Sequence, residues 1–292
     1  MDEELLRKVI DHALSQGCTY AEARWQANSG SLYTTQNGDP QPSGLVDSEG
    51  VAVRVIHSGA LGFAATNAVD GPSLAELTSR AVAGAKASAR RLKNPISLAG
   101  YKFEEADYRS GEKRSIEDVS PQDVFGYLKE LDSLLSNGFE DVYFPFRTLS
   151  VSLNRESKVF MNSEGCRIRS AISRVGFRAI AVSLYQGRSR SISIPEGYSG
   201  AGGTGGWEVI EGMNLNETLP VKAKEIARAL KATATPPSEE TSVILGPNVA
   251  SLTSHESVGH PFEADRILGR EGAQAGESYL NRSALGYRLG SP

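Results

Sequence analysis

Cysteine is almost missing: Cys18 and Cys166 are the only two in 292 residues. Two thiols cannot build a disulfide framework, so a reducing compartment, the cytoplasm, is expected. Charge imbalance is also small. Thirty-one Lys plus Arg stand against thirty-five Asp plus Glu, a formal −4, which offers no basic footprint for nucleic acid or anionic lipid. No apolar run approaches the ~20 residues of a membrane span. The acidic, amphipathic start MDEELLRKVIDHALSQG lacks the basic and apolar blocks of a signal peptide. Internal repeats and low-complexity tracts are missing too. Together these absences argue against nucleic-acid, membrane and disulfide-scaffold roles, and leave an ordinary soluble chain long enough for two or three domains.

The chain has clear local order. Leu5, Leu6, Val9, Ile10, Ala13 and Leu14 recur at helical spacing, with Gly17 as a stop. Short strand-like segments follow, and Asn37-Gly38 and Ser58-Gly59 read as hairpin turns between antiparallel strands. Residues 73–91 return to helix, with Leu74, Leu77, Ala81 and Ala85 on one face. These elements predict an α+β domain over 1–95. The polar stretch 94–115 reads as a linker or long connection.

A second domain, 96–236, opens on a helix signal: Ser120 as cap, Pro121 in the first turn, Asp123 behind it, then a Val124, Leu128, Leu131, Leu135 stripe closed by Gly138. Strands with period-2 alternation follow up to residue 194, predicting sheets with one wet face. Residues 219–233 read as another amphipathic helix. TPPSEE then breaks the chain, and TSVILG (241–246) reads as an apolar strand that leads into a third domain, 237–292. The expected fold class is α+β and multi-domain, with largely antiparallel or mixed sheets flanked by amphipathic helices.

Three features carry little chemistry. GAGGTG (200–205) satisfies G-x-G-x-x-G, but GWEVIEGMNL after it has no helical stripe, so a closely approached or flexible loop is expected and no cofactor-binding residue is assigned. Cys166 has arginines nearby but no histidine partner in sequence, and reads as a small buried residue. His12 and His57 are isolated and read as surface or half-buried.

The stretch HESVGHP, 255–261, differs in kind. Two of only four histidines flank a glutamate. Two neutral imidazoles hold a divalent cation, the cation acidifies a bound water, and a neighbouring carboxylate takes the proton. His255 and His260 are the metal-ligand candidates and Glu256 the base. Their spacing is five, which on an α-helix sets them about 140° apart. Gly259 before the second histidine and Pro261 after it predict a bulged or broken helix at 258–261, of which a single π-type turn is one form.

HESVGHPFEAD resembles the H-E-x-x-G-H-x-x-E-x-D block of the TldD/PmbA peptidases, also called modulators of DNA gyrase. GCTYAEARW, the NG turn and GVAVRVIHSGALGFAATN resemble the N-terminal domain of that family, and the likeness extends over nearly the whole chain, on the TldD side. The resemblance implies a metallopeptidase that trims short or unfolded peptides inside a closed dimer cavity. His255 and His260 would ligate Zn2+, Glu256 would be the acid/base, and Glu263 and Asp265 would orient ligands or substitute for one. The third ligand of the family is a cysteine later in the C-terminal domain, which neither Cys18 nor Cys166 matches. The chain stops at GYRLGSP, so a truncated or split member is expected, with exposed strand edges and a tendency to dimerise or aggregate.

The expected function is a cytoplasmic zinc peptidase or its metal-bearing subunit, acting on peptides as a homodimer or with a TldE/PmbA-like partner, with no nucleic-acid or membrane partner. The alternative is a non-catalytic peptide-binding or assembly subunit with a vestigial or incomplete metal site. A gyrase or DNA-binding role is suggested only by the family's name, and the charge balance argues against it.

Overall fold

The computed structural model describes residues 2–99, 104–195, 200–232, 237–271 and 276–290. It divides into two units, Met1–Ala232 and Thr233–Pro292.

In the first unit, helix α1 (Glu3–Ser15) starts at Asp2, whose Oδ1 accepts the Glu4 N–H at 2.9 Å. Leu6, Val9, Ile10 and Ala13 form its buried face. The chain then runs through β1 (Tyr20–Gln36), β2 (Asp39–Pro40), β3 (Gly44–His57) and β4 (Ala60–Thr66) to helix α2 (Gly71–Ala89). Both turns expected from the sequence are present. Asn37 and Gly38 have φ of 52° and 84°, and Ser58 and Gly59 have 50° and 76°, the left-handed pairs that match the twist of a tight hairpin. Helix α2 packs closely on β4 because Gly62 has no side chain; a Cβ there would lie 2.0 Å from the Ala81 carbonyl oxygen.

The polar stretch after α2 is less irregular than expected. Its residues 100–103 lie outside the described set, but β5 (Glu105–Arg109) pairs in parallel with a later strand. Helix α3 (Pro121–Ser136) has the expected start: Ser120 and Asp123 cap each other reciprocally, with Pro121 in the first turn. Strands β6 (Tyr143–Asn162), β7 (Arg167–Tyr185), β8 (Arg188–Ile194) and β9 (Ala201–Thr204) follow, then α4 (Glu208–Glu211) and α5 (Leu215–Lys231). Helix α5 begins four residues before its expected start and carries Pro220 inside it.

The strands form one nine-stranded sheet in the order β4-β3-β1-β6-β7-β5, with β2 added to β1 and both β8 and β9 added to β7. Strand β1 pairs antiparallel with β3 on one side and β6 on the other. Strands from 1–95 and from 96–236 therefore share one sheet. Burial alternates with period 2: Val175, Phe177, Ala179 and Ala181 of β7 are buried, while Arg174 and Arg178 are exposed. The buried side packs on helices. One cluster joins α1 and α2 to Val51, Val53 and Val55; a second joins Val124, Leu128 and Leu131 of α3 to Leu149, Val151, Val175 and Phe177.

The second unit follows residues 233–236, which lie outside the described set and include the Thr235-Pro236 start of the TPPSEE break. TSVILG is not a strand there. Residues 241–246 have no regular structure, with Val243 73% and Ile244 101% exposed. A strand is stable only when its backbone groups and one face find partners, and no strand of the described residues pairs with this segment. Leu280 is the one hydrophobic residue buried among those described in this unit.

Candidate metal centre

The second unit carries the HESVGHP stretch. Helix α6 (Pro247–Ser254) begins with proline in its first turn, where a missing N–H costs nothing. After Ser254 the helix widens into a π turn over His255–Gly259, then tightens into a 3-10 turn over His260–Phe262 before a short helix, α7 (Ala264–Ile267). The widening starts three residues earlier than the spacing predicted. Its signature bond runs from the His260 N–H to the His255 carbonyl, five residues back. Pro261 has no N–H to give to Ser257, so the α-ladder cannot resume. Instead the Tyr279 hydroxyl donates to the Ser257 carbonyl oxygen at 3.2 Å, and the Ser278 hydroxyl donates to that of Pro261 at 2.7 Å.

The turn brings two imidazoles together. The rings of His255 and His260 lie 4.3 Å apart, centroid to centroid, at 86° to one another. One ligand atom from each of His255, Glu256 and His260 falls within 4.8 Å of the others, the one such grouping of three among the described residues. His255 and Glu256 are exposed and His260 is half-buried.

Glu263 is one turn on. Its Oε1 lies 2.7 Å from His260 Nδ1, and its carboxylate also pairs with Arg266. The hydrogen bond to His260, with Arg266 beside it, holds the Glu263 carboxyl below its ordinary range. An ionised carboxylate on Nδ1 keeps the proton there and leaves Nε2 with its lone pair, as a metal ligand requires. Asp265 is not drawn in: its Oδ1 accepts the backbone N–H of Arg266 at 2.9 Å. Reading the sequence alone overlooked Arg266, Ser278 and Tyr279. Only Arg266 left a signal, as the cation three residues beyond Glu263.

Two imidazoles and a carboxylate suit a divalent ion such as zinc. Both cysteines belong to the first unit. They are free and buried, and burial pushes both thiols up in pKa, which disfavours the thiolate a metal or a nucleophile needs. His57 Nδ1 lies 2.8 Å from the Gly17 carbonyl oxygen, and His12 Nε2 lies 2.8 Å from the Gln16 amide. Each has a local partner, and neither belongs to a metal-binding grouping among the described residues.

GAGGTG is a strand, β9, paired with β7 through Ala201–Thr204, followed by the four-residue helix α4. The glycines permit close packing: a Cβ on Gly202 would sit 2.9 Å from the Val175 carbonyl oxygen, and one on Gly200 2.3 Å from that of Phe177. The close approach expected of this segment is made by protein backbone.

Residues 21–85 match the family model of the PmbA/TldA metallopeptidase domain 1, and residues 114–234 match that of the PmbA/TldA metallopeptidase central domain. A metalloprotease of Methanocaldococcus jannaschii is 28% identical over 275 residues, covering 93% of this chain and 56% of that protein. A metalloprotease of Methanothermobacter thermautotrophicus is 35% identical over 121 residues, covering 41% of this chain and 25% of that protein. The chain thus spans about half the length, or less, of these two relatives. Among solved structures, a protein described as a modulator of DNA gyrase from Thermotoga maritima aligns with TM-score 0.61 at 18% identity, over 81% of this chain and 50% of that one. TldE from Thermococcus kodakarensis aligns with TM-score 0.55 at 14% identity, over 77% and 47%. At these identities the structural likeness speaks for the fold alone.

Proposed function

The chain belongs to the PmbA/TldA metallopeptidase family, and on that premise we propose that it is a zinc-dependent peptidase, or the metal-bearing subunit of one, acting on short or unfolded peptides. The observation that carries this reading is the π turn, along which ligand atoms of His255, Glu256 and His260 lie within 4.8 Å of one another despite their spacing. A zinc ion held there would polarise a peptide carbonyl and acidify water.

The chain's own groups divide the remaining work. His255 and His260 would hold the ion. Glu256, exposed beside them, accepts a proton from the attacking water and returns it to the leaving amine. Glu263 fixes the His260 ring through Nδ1. Catalytic zinc takes three protein donors, and Glu263 is already engaged by His260 and Arg266. We assign the third donor to a partner subunit or to a further segment of polypeptide, in a homodimer or with a TldE/PmbA-like chain. A cytoplasmic site of action is consistent with two free, buried thiols; no helix of the described residues is long and apolar enough to cross a membrane. The presence of only two imidazoles favours one second reading, a peptide-binding subunit that does not cleave.

Metal analysis and a peptide-cleavage assay on the wild type and Glu256→Gln, with and without a partner chain, decide between them. Zinc near one equivalent, with cleavage lost by about a hundredfold or more in the variant, supports the enzyme. Protein that takes up no zinc under replete conditions overturns it, and zinc uptake with glutamate-independent turnover removes the role of Glu256.

A further inference from the structure

On the exposed side of the sheet, β6, β1, β3 and β4 form a basin of about 470 Å³ lined by Glu22, Arg24, Arg54, Leu61, Phe63 and Phe160, with Ala52 as part of its floor. Register places these side chains on neighbouring rungs. Arg24 stands opposite both Ala52 and Phe160, and Arg54 stands opposite both Glu22 and Phe63. Side chains directly opposite on one face of a sheet are in contact range. The basin is apolar for an exposed surface: Phe63 is 63% and Leu61 42% exposed.

Its charges do not cancel. The Glu22 carboxylate is occupied on both oxygens, by Arg54 at 2.7 Å and by the Tyr20 hydroxyl at 2.5 Å. Among the described residues Arg24, the cation opposite Phe160, makes no ion pair, whereas Arg54, opposite Phe63, is the one paired with Glu22. Two guanidiniums against one carboxylate leave a single positive charge, held at Arg24. That matches a monoanion carrying an apolar group. It does not match a phosphate, whose second charge would meet Glu22. Arg24 also borders a second recess, about 200 Å³, whose lining includes Gln26, Asn28, Asn67 and Glu49, the last accepting the Trp25 indole N–H at 2.7 Å. Amide side chains donate to and accept from peptide groups.

We propose that this basin binds the C-terminal residue of a peptide, with the carboxylate on Arg24, an apolar side chain against Phe63, Leu61 and Phe160, and the preceding peptide groups over Gln26 and Asn67. A planar guanidinium takes a carboxylate through two parallel hydrogen bonds. The cavity is the size of known small-ligand sites and accommodates one to two residues. The site lies wholly within the first unit.

The test measures binding by calorimetry, with chelator present and in the Glu256→Gln chain, so that neither zinc uptake nor cleavage affects the result. Probes are acetyl-Ala-Ala-Phe as free acid, the same peptide as C-terminal amide, and decanoate. The acid is expected to bind, the amide to bind about tenfold more weakly, and Arg24→Gln to bring the acid down to the level of the amide, the scale of one lost charge-assisted contact. Phe63→Ser, at an exposed position, should weaken acid and amide alike. Equal binding of acid and amide, no binding of the acid, or an unchanged Arg24→Gln overturns the proposal. Decanoate binding as tightly as the peptide overturns the assignment to a peptide and leaves a site for apolar acids in general.

Discussion

His255 and His260 present their rings to each other at 4.3 Å although five residues separate them. The π turn makes this compatible, and Pro261 prevents the regular ladder from returning after it. Replacing Pro261 with Ala restores an N–H that can compete for the Ser257 carbonyl, now held by Tyr279. Pro261→Ala is expected to pull the turn toward α-helix and weaken zinc binding about tenfold, the scale of a misoriented ligand. Gly259→Ala is the control. Its backbone is right-handed helical, with φ −55° and ψ −65°, and nothing lies within 4 Å of a Cβ there. Zinc titration against a chromophoric chelator should find the alanine at 259 silent; an effect there equal to that at 261 rejects the account of the turn.

In the proposed site Glu263 would act on zinc through His260, which it contacts at 2.7 Å. Glu263→Gln keeps the size but removes the charge that holds the Nδ1 proton, so zinc affinity is expected to fall 10–100-fold, as roughly found for such outer partners. Asp265, whose side chain accepts the backbone N–H of Arg266 at 2.9 Å, should tolerate Asp265→Asn with little change. The same chelator competition reads both, and equal losses at the two positions would deny Glu263 its orienting role.

Stability should depend sharply on a pair far from this chemistry in sequence. Arg147 Nε and Nη2 meet the two oxygens of Asp132 at 2.9 and 2.8 Å, and both side chains are almost buried. A third guanidinium contact, at 2.6 Å, goes to the Phe144 carbonyl oxygen. Removing one partner strands the other charge in the interior. Asp132→Ala is expected to cost about 3–5 kcal/mol in urea unfolding. Asp132→Leu combined with Arg147→Met should cost less than Asp132→Ala alone, and a larger loss would show that the pair stabilises through more than mutual neutralisation.

Acid sensitivity has an identifiable contributor at the end of the first unit. Glu208 accepts the Gly206 N–H at 2.9 Å and the Arg114 N–H at 3.1 Å, and these backbone donors, that of Gly206 first, bring its pKa from 4.5 down to about 2. A folded pKa below the unfolded one means stability that is present above pH 4.5 and lost as pH falls toward 2. Urea midpoints for the wild type should therefore drop across that window more than those of Glu208→Gln. Parallel curves would remove Glu208 from the acid response.

Much of the local structure is legible in the residues. Asn37-Gly38 and Ser58-Gly59 specify tight hairpins because few residues tolerate two left-handed positions in succession. Ser120, Pro121 and Asp123 mark a helix start, and the five-residue histidine spacing with Pro261 anticipates a distorted helix. Each rests on conformational limits that act within a few residues.

Other features depend on what lies far away. GAGGTG becomes a strand because Val175 and Gly176 lie alongside it, and TSVILG stays irregular because no described strand does. Asp132 sits on the apolar side of α3, and only Arg147, fifteen residues on, explains its burial. That β1 pairs with β3 and β6 at once, joining the two halves of the first unit in one sheet, is likewise absent from any local pattern. The sequence by itself determined turns, caps, faces and the His-Glu-His grouping, because sterics and periodicity are local. Only the tertiary structure decided which strands share edges, which charges are buried and which carboxylates the arginines meet, because those depend on burial summed over distant residues.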